Sequence, residues 1–123
     1  MNPPRTTAFL ATTDAARSKA FYVDRLRADC VEDTPFSLVL QIGGTLLRIQ
    51  KVEQVHAPPY TSLGWQVDDI ASEVEALNAR GVDFARFEGM GQDDAGIWTA
   101  PDGAKVAWFR DPDGQLLSLD QQP

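Results

Sequence analysis

The first half of the chain alternates short apolar segments with one amphipathic segment. Residues 6–12 combine Phe9 and Leu10 with small and β-branched neighbours, a pattern that predicts a strand. The stretch 15–26 then places apolar side chains three or four residues apart, which predicts a helix. Three short strands are predicted after it, near residues 29–33, 36–42 and 45–51. This half therefore follows the order βαβββ.

The second half repeats that order. A strand is predicted over 62–67, ahead of a second amphipathic helix. In this helix Ile70, Val74 and Leu77 share one face. Gly81 is well placed to end it, because glycine tolerates the left-handed backbone of a helix C-terminus. Further strands are predicted near residues 82–87, 96–99, 104–109 and 115–119.

The repeated order predicts two copies of one unit within a single domain spanning 1–123. The first unit covers 5–53 and the second 61–120, joined by the proline-containing linker 54–60. The second copy is longer, and its extra residues lie in the polar, glycine-rich segment 88–96. We expect this segment to form a loop that moves over a binding site.

Capping and turn residues support both copies. Asp14 and Asp69 each precede a predicted helix, where an aspartate side chain can accept hydrogen bonds from the first turn. The pair Gly43-Gly44 suits a two-residue hairpin turn. The segments 100–103 and 111–114 both place proline ahead of glycine, as turns require. Each half therefore carries its own boundary signals.

Composition excludes several classes of protein. A chain of 123 residues that is 43% hydrophobic can bury one core. Its net charge of −7 argues against nucleic acid as a partner, because phosphate binding needs clustered Lys and Arg. Neither a membrane span nor a signal segment is present in the sequence, so we expect a cytoplasmic protein without a membrane partner. The single cysteine, Cys30, is interpreted as a small core residue rather than a nucleophile.

Three groups of residues carry a family resemblance. They are Asp14 with Phe21-Tyr22, the run from Val67 to Ile70, and the run from Trp108 to Gln115. Together they resemble the vicinal oxygen chelate superfamily, which includes glyoxalase I, extradiol dioxygenases, and fosfomycin and bleomycin resistance proteins. The resemblance implies an α+β fold in which two βαβββ units form a ligand cleft. It also implies a homodimer.

Metal-dependent members of this superfamily hold a divalent ion with His, Gln or Glu side chains on four strands. By the resemblance, these positions are occupied here by Thr7, Arg48, Ser62 and Ser118. Hydroxyl groups and a guanidinium are poor ligands for a divalent ion. We therefore expect a member that lacks the metal ligands and uses no cofactor. The only histidine, His56, lies in the linker and is interpreted as a solvated residue rather than a ligand or acid–base group.

Alternation along the strands identifies candidate ligand-binding residues, whereas no catalytic residue can be assigned. Thr7 shares a strand face with Phe9, and Arg48 with Gln50. Arg48 is the sharpest candidate, because it could pair with a carboxylate or phosphate, although a solvated arginine or a structural salt bridge fits equally. The predicted ligand-binding set is Thr7, Phe9, Arg48, Gln50, Ser62, Trp65, Trp98, Trp108 and Ser118.

Three functions are compatible with these observations. The first is metal-independent binding of a small organic molecule between the two units, by sequestration or carriage as in bleomycin resistance proteins. The second is a lyase or isomerase acting on a small metabolite, although no matched acid–base pair appears at the expected positions. The third is an accessory module that mainly dimerises.

Overall fold

The computed structural model describes residues 3–123, which divide into two units. One unit extends to His56 and the other begins at Ala57, so the boundary falls inside the predicted linker. Among the described residues, no helix is long and apolar enough to cross a membrane. Each unit contains a four-stranded mixed sheet and one helical segment.

The first unit has the predicted order of elements. Its strands form one sheet in the order β1-β4-β3-β2, in which β1 is parallel to β4 and the other pairs are antiparallel. The helix α1 continues directly into a π-helical segment, where the amide of Leu26 donates to the carbonyl of Phe21. The elements are β1 (Thr7–Thr12), α1 (Ala15–Lys19), the π-helical segment (Ala20–Arg25), β2 (Asp29–Asp33), β3 (Ser37–Ile42) and β4 (Thr45–Lys51).

The second unit repeats this topology. Its sheet has the order β5-β8-β7-β6, with β5 parallel to β8 and the remaining pairs antiparallel. The predicted α+β architecture of two βαβββ units is therefore confirmed. The elements are β5 (Leu63–Gln66), α2 (Ile70–Ala79), β6 (Trp98–Thr99), β7 (Lys105–Arg110) and β8 (Leu116–Gln121).

Both helices begin at the predicted aspartate. Asp14 accepts a hydrogen bond from the amide of Arg17 at 3.1 Å, and Asp69 accepts one from the amide of Ser72 at 3.2 Å. Each carboxylate thus satisfies a backbone donor that has no partner within the helix. After α2 the chain turns at Gly81, whose φ of 87° matches its predicted role as the helix stop.

Alternating side chains divide each sheet into an apolar core face and an open face. In the first unit Leu38, Leu47 and Ile49 are fully buried on the core face, and Phe21 and Tyr22 of the π-helical segment are buried as well. In the second unit Gln121 marks the side of the sheet that carries α2, because its Oε1 accepts a hydrogen bond from the amide of Ile70 at 2.9 Å. Four buried side chains lie on that same side of the sheet, namely Ala107, Phe109, Leu117 and Leu119.

The run around Asp111 closes the β7–β8 hairpin. Asp111 is buried, and its Oδ1 accepts hydrogen bonds from the amides of Asp113 at 3.0 Å and Gln115 at 2.9 Å. Its Oδ2 accepts a third from Gln115 Nε2 at 2.6 Å. Gly114 completes the turn with a φ of 83°. This part of the family-like motif therefore has a structural role.

Two expectations are corrected. The predicted strand over 82–87 is wrong, because only Phe84 forms a bridge there, to Phe109. The side chain of Gln92 occupies backbone groups that a strand would pair, namely the Phe87 amide and the Ala85 carbonyl. Cys30 is exposed rather than part of the core, because β2 is an edge strand whose five residues are all exposed.

Candidate functional site

Four of the predicted residues lie on the open face of the first sheet. The strand register pairs Phe9 with Arg48, and Ala11 with Gln50, while Thr7 is on the same side of β1. Thr7 and Gln50 are exposed, and Phe9 exposes 57% of its surface. Because Phe9 is a large apolar side chain on a strand, this exposure marks a surface that is free to contact another molecule.

Arg48 is half-buried on that open face. Its Nη1 donates a hydrogen bond to Ser37 Oγ at 3.1 Å. By contrast Lys51, at the end of the same strand, has an acidic partner, since its Nζ lies 2.6 Å from Asp33 Oδ1. The hydrogen bond from Lys51 is the main reason why the pKa of the Asp33 carboxyl is lowered from 3.8. Lys51 therefore has a structural role, since its ammonium group links the ends of β4 and β2.

Three more predicted residues lie on the open face of the second sheet, and a fourth lies next to it. The register pairs Trp98 with Val106 and Trp108 with Ser118. Ser62 directly precedes β5, is exposed, and donates its amide to the carbonyl of Leu116 at 2.8 Å. Trp98, Trp108 and Ser118 therefore share one side of the sheet, with Ser62 next to it.

Trp65 lies on the opposite side of the second sheet from the other predicted residues of this unit. The register pairs it with Leu119, on the side that carries α2. Its ring stacks on the fully buried Phe109, with centroids 6.2 Å apart and planes inclined by 19°. Trp65 therefore contributes to packing in the second unit.

The open face of the second sheet carries an aromatic cluster. Trp108 contacts Trp98 at a centroid distance of 6.1 Å and Phe87, edge to face, at 5.6 Å. Next to the cluster lies a cavity of about 300 Å³. Its lining is mainly apolar and consists of Pro59, Tyr60, Thr61, Phe87, Met90, Trp108 and Leu116.

Sequence reasoning identified only Trp108 among these lining residues. Leu116 shares the strand parity of Ser118, so alternation along β8 could have identified it. Tyr60, Phe87 and Met90 come from irregular segments, for which no periodicity exists. A weak signal for Tyr60 was its place after two prolines; in the structure it lies at a bend and exposes 67% of its surface.

The glycine-rich loop that follows Phe87, residues 88–96, is stabilised by hydrogen bonds from its own polar side chains. Gln92 accepts a hydrogen bond from the Phe87 amide at 2.7 Å and donates to the carbonyls of Ala85 at 3.0 Å and Gly96 at 2.7 Å. Asp93 accepts a further bond from the amide of Ile97 at 2.9 Å. The loop that was expected to move thus has defined internal contacts that position a wall of the cavity.

Ser118 supplies a polar group within this apolar surface. It exposes 7% of its surface, and its hydroxyl has no hydrogen-bond partner in the part of the chain that the structure describes. Its Oγ lies over Gly64, where an added β-carbon would come within 2.7 Å of it. Any larger residue at position 64 would therefore force the Ser118 hydroxyl to shift from its place beside Trp108.

A second cavity, of about 400 Å³, lies near the β3–β4 turn of the first unit. Its lining is more polar than that of the aromatic cavity and consists of Arg5, Thr6, Gln41, Gly44, Thr45 and Leu46. Gln41 and Leu46 pair with each other across β3 and β4 on the open face. The open face of the first sheet therefore differs in chemistry from that of the second.

Potential metal or acid–base groups are dispersed in the described part of the chain. Across residues 3–123, no three His, Cys, Asp or Glu side chains come together as a possible metal site. His56 is exposed at the end of the first unit. Lys51 and Asp33 form an ion pair at the exposed edge of the sheet.

Several solved structures share this fold. The genomically encoded fosfomycin resistance protein FosX from Listeria monocytogenes matches with a TM-score of 0.77 and 17% identity, over 100% of this chain and 96% of that chain. A member of the glyoxalase/bleomycin resistance protein/dioxygenase superfamily from Sphaerobacter thermophilus matches with a TM-score of 0.74 and 22% identity, over 98% of both chains. A putative glyoxalase family protein from Bacillus anthracis matches with a TM-score of 0.74 and 12% identity, over 100% of this chain and 98% of that chain. At these identities the likeness concerns the fold.

The sequence comparisons agree with the fold. No curated protein matches the chain. The family model for the glyoxalase/bleomycin resistance protein/dioxygenase superfamily matches residues 5–119, which is nearly the whole chain. The chain therefore belongs to the glyoxalase/bleomycin resistance protein/dioxygenase superfamily.

Proposed function

We propose that this protein binds a small organic molecule without the help of a metal ion and sequesters or carries it. The observation that supports this function best is the aromatic cavity of the second unit. Its volume of about 300 Å³ lies at the lower end of the usual range for ligand pockets. An apolar cavity with few polar groups is typical of a site for a small, largely apolar ligand.

The lining residues favour a ligand with a planar ring. Trp108 is only half-buried, while Phe87 and Trp98 support it from two directions. A ring held in this way presents a rigid surface for stacking. The thioether of Met90 can adapt to the outline of the ligand, and the Thr61 side chain adds a hydroxyl. The ligand would therefore be selected mainly by shape and aromatic contact.

The chemistry of the predicted ligand positions supports a metal-independent function. Thr7, Ser62 and Ser118 offer neutral hydroxyls, and Arg48 adds a positive charge. A divalent ion needs several carboxylate or imidazole ligands to replace its hydration shell. These four residues do not fit such an ion, so the proposed function assigns no step to a metal.

Two alternatives remain proposals. The dimerising module is favoured by exposed apolar side chains in the first unit, since Val31 exposes 59% and Phe36 exposes 80% of its surface. A second copy of the chain would cover such side chains. The lyase or isomerase would require an acid–base pair close to the aromatic cavity, and its apolar lining offers none.

Tryptophan fluorescence provides a direct test. The purified protein is titrated with 2-naphthol in the presence of EDTA. We expect saturable quenching, and we expect Trp108→Leu to weaken 2-naphthol binding by about tenfold, because ring stacking and buried aromatic area are both lost. Trp65→Phe is the matched control, since this ring lies on the other side of the sheet.

Each outcome discriminates between the functions. Binding that survives EDTA and is lost in Trp108→Leu supports metal-independent binding at the aromatic cavity. Binding that appears only after a divalent ion is added would contradict it and favour the lyase or isomerase. If no ligand binds and the protein sediments as a dimer, the accessory module becomes the better proposal.

A further inference from the structure

Arg48 occupies the middle of the open face of the first sheet. The strand register places it between Phe9 on β1 and Val39 on β3, and Gln50 follows it on the same side of β4. Val39 is buried with 5% of its surface exposed, whereas Phe9 is largely exposed. The Arg48 guanidinium therefore extends over a partly apolar surface, where water screens a charge less than in bulk solvent.

The hydrogen-bond donors of Arg48 are largely unused. A guanidinium carries five N–H donors, and among the described residues one hydrogen bond is present, from Nη1 to Ser37 Oγ. Within residues 3–123, no carboxylate lies within 4.0 Å of this guanidinium. Glu32 lies in the same row of the sheet, but Val39 stands between the two residues.

This missing partner is unusual for the composition of the chain. The sequence contains 18 acidic and 11 basic residues, so acidic partners are abundant. A half-buried charge is costly to leave unpaired, and proteins normally pair such groups. An unpaired arginine at this position is therefore better explained by an anion that arrives from outside the chain.

Ser37 provides an independent second donor. It is a polar residue with only 3% of its surface exposed. Its Oγ accepts the hydrogen bond from Arg48, and no residue between 3 and 123 accepts its own proton. The Ser37 amide is already paired with Thr34 Oγ1 at 3.1 Å. A buried hydroxyl with a free proton thus lies 3.1 Å from a guanidinium that has free donors of its own.

We propose that Arg48 and Ser37 form a binding site for a single carboxylate, so that the open face of the first sheet takes up a small organic acid. This inference goes beyond the proposed function, which concerns the aromatic cavity of the second unit. Two N–H groups of the guanidinium bind the two carboxylate oxygens side by side, and the Ser37 hydroxyl donates a third hydrogen bond. A monoanion fits better than a phosphate dianion, because one cation serves the site and the chain carries a net charge of −7.

A matched pair of ligands isolates the charge. Benzoate and benzamide have nearly the same shape, but only benzoate carries a carboxylate. Their affinities are measured by calorimetry at low salt for the wild type, Arg48→Met and Arg48→Lys. Arg25→Met is the control, because it removes an equal charge from an exposed position on the helical segment. Circular dichroism verifies that each variant is folded.

We expect the wild type to prefer benzoate by about tenfold to one-hundredfold, as charge-assisted hydrogen bonds predict. Arg48→Met should abolish this preference while leaving benzamide binding unchanged, and Arg25→Met should retain it. Arg48→Lys should restore only part of it, because lysine keeps the charge but lacks the planar pair of donors.

The outcomes separate this inference from the proposed function. Equal binding of benzoate and benzamide that Arg48→Met does not change would overturn the carboxylate site and leave metal-independent binding intact. A preference for benzoate that persists in Arg48→Met would also overturn it, because another group would then hold the anion. Tighter binding of inorganic phosphate than of benzoate would contradict the choice of a monoanion. Failure of 2-naphthol to bind in the fluorescence titration would contradict the proposed function at the aromatic cavity, whereas the carboxylate site depends on benzoate binding alone.

Discussion

The side chain of Gln92 offers the sharpest test of how the aromatic cavity is built. It crosslinks the glycine-rich loop through three hydrogen bonds, one accepted from the Phe87 amide and two donated to the Ala85 and Gly96 carbonyls. Phe87 directly precedes this loop and Met90 lies within it, and both line the cavity. The substitution Gln92→Ala removes all three bonds and leaves three backbone groups without their partners.

The expected cost follows from these contacts. Each intramolecular hydrogen bond contributes about 1 kcal/mol net, so three would give about 3 kcal/mol. Gln92 is half-buried, and water can reach some of the released groups, which reduces the expected loss of unfolding free energy to about 2 kcal/mol. For a chain of 123 residues this corresponds to a decrease in Tm of roughly 8 °C.

Calorimetry and amide hydrogen exchange provide the assays. We expect faster exchange at the Phe87 amide and weaker binding of 2-naphthol, because the loop would no longer hold the cavity wall. Gln54→Ala is the control, since this exposed glutamine has no side-chain hydrogen bond in the structure. A Tm change below about 2 °C together with unchanged exchange at Phe87 would refute the crosslinking role.

Three further predictions concern stability. Ser18→Ala should raise the unfolding free energy by up to about 1 kcal/mol in denaturant titration, because the fully buried Ser18 hydroxyl has no hydrogen-bond partner. Asp69→Ala should lower it by about 1 kcal/mol in the same assay, through loss of the α2 cap, and an unchanged midpoint would contradict that role. Because the pKa of Asp33 is lowered from 3.8, its pairing with Lys51 stabilises the fold above about pH 4 and is lost as the pH falls through the lowered value. The difference in Tm between wild type and Asp33→Asn should therefore disappear at low pH, and a difference that persists below pH 2 would disagree.

Local chemistry determined the order of the elements. Asp14 and Asp69 each start a helix independently of long-range contacts, because their carboxylates accept hydrogen bonds from amides within the next turn. Gly43 and Gly44 accept positive φ values of 54° and 80°, so the hairpin turn and the register of β3 with β4 follow from two residues. The β4 boundaries, Thr45 to Lys51, agree with the prediction for the same reason.

Strand alternation also placed part of the candidate site. Once β4 is aligned with its neighbours, Arg48 and Gln50 must lie on the side opposite the buried Leu47 and Ile49. The same rule separates Trp65 from Ser62, because the two positions differ in parity along the strand. Strand alternation alone therefore places Trp65 on the side of the second sheet that carries Leu119.

Other features depend on contacts between residues that no local pattern connects. The strand expected over 82–87 is reduced to one bridge. The side chain of Gln92 occupies the Phe87 amide and the Ala85 carbonyl, which strand pairing would otherwise need. Cys30 is exposed because β2 lies at the sheet edge, a position that depends on the order of all four strands.

The sequence by itself determined the repeated βαβββ order, the helix starts, the turns and the side of the strand on which Arg48 lies, because each depends on interactions within a few residues. Tertiary structure alone decided the aromatic cavity and the pairing state of Arg48. The cavity needs Tyr60, Phe87 and Trp108 from three separate segments, and a missing carboxylate partner is visible only when the surroundings of the guanidinium are known. Short-range preferences act along the chain, whereas binding sites depend on side chains that folding brings together across it.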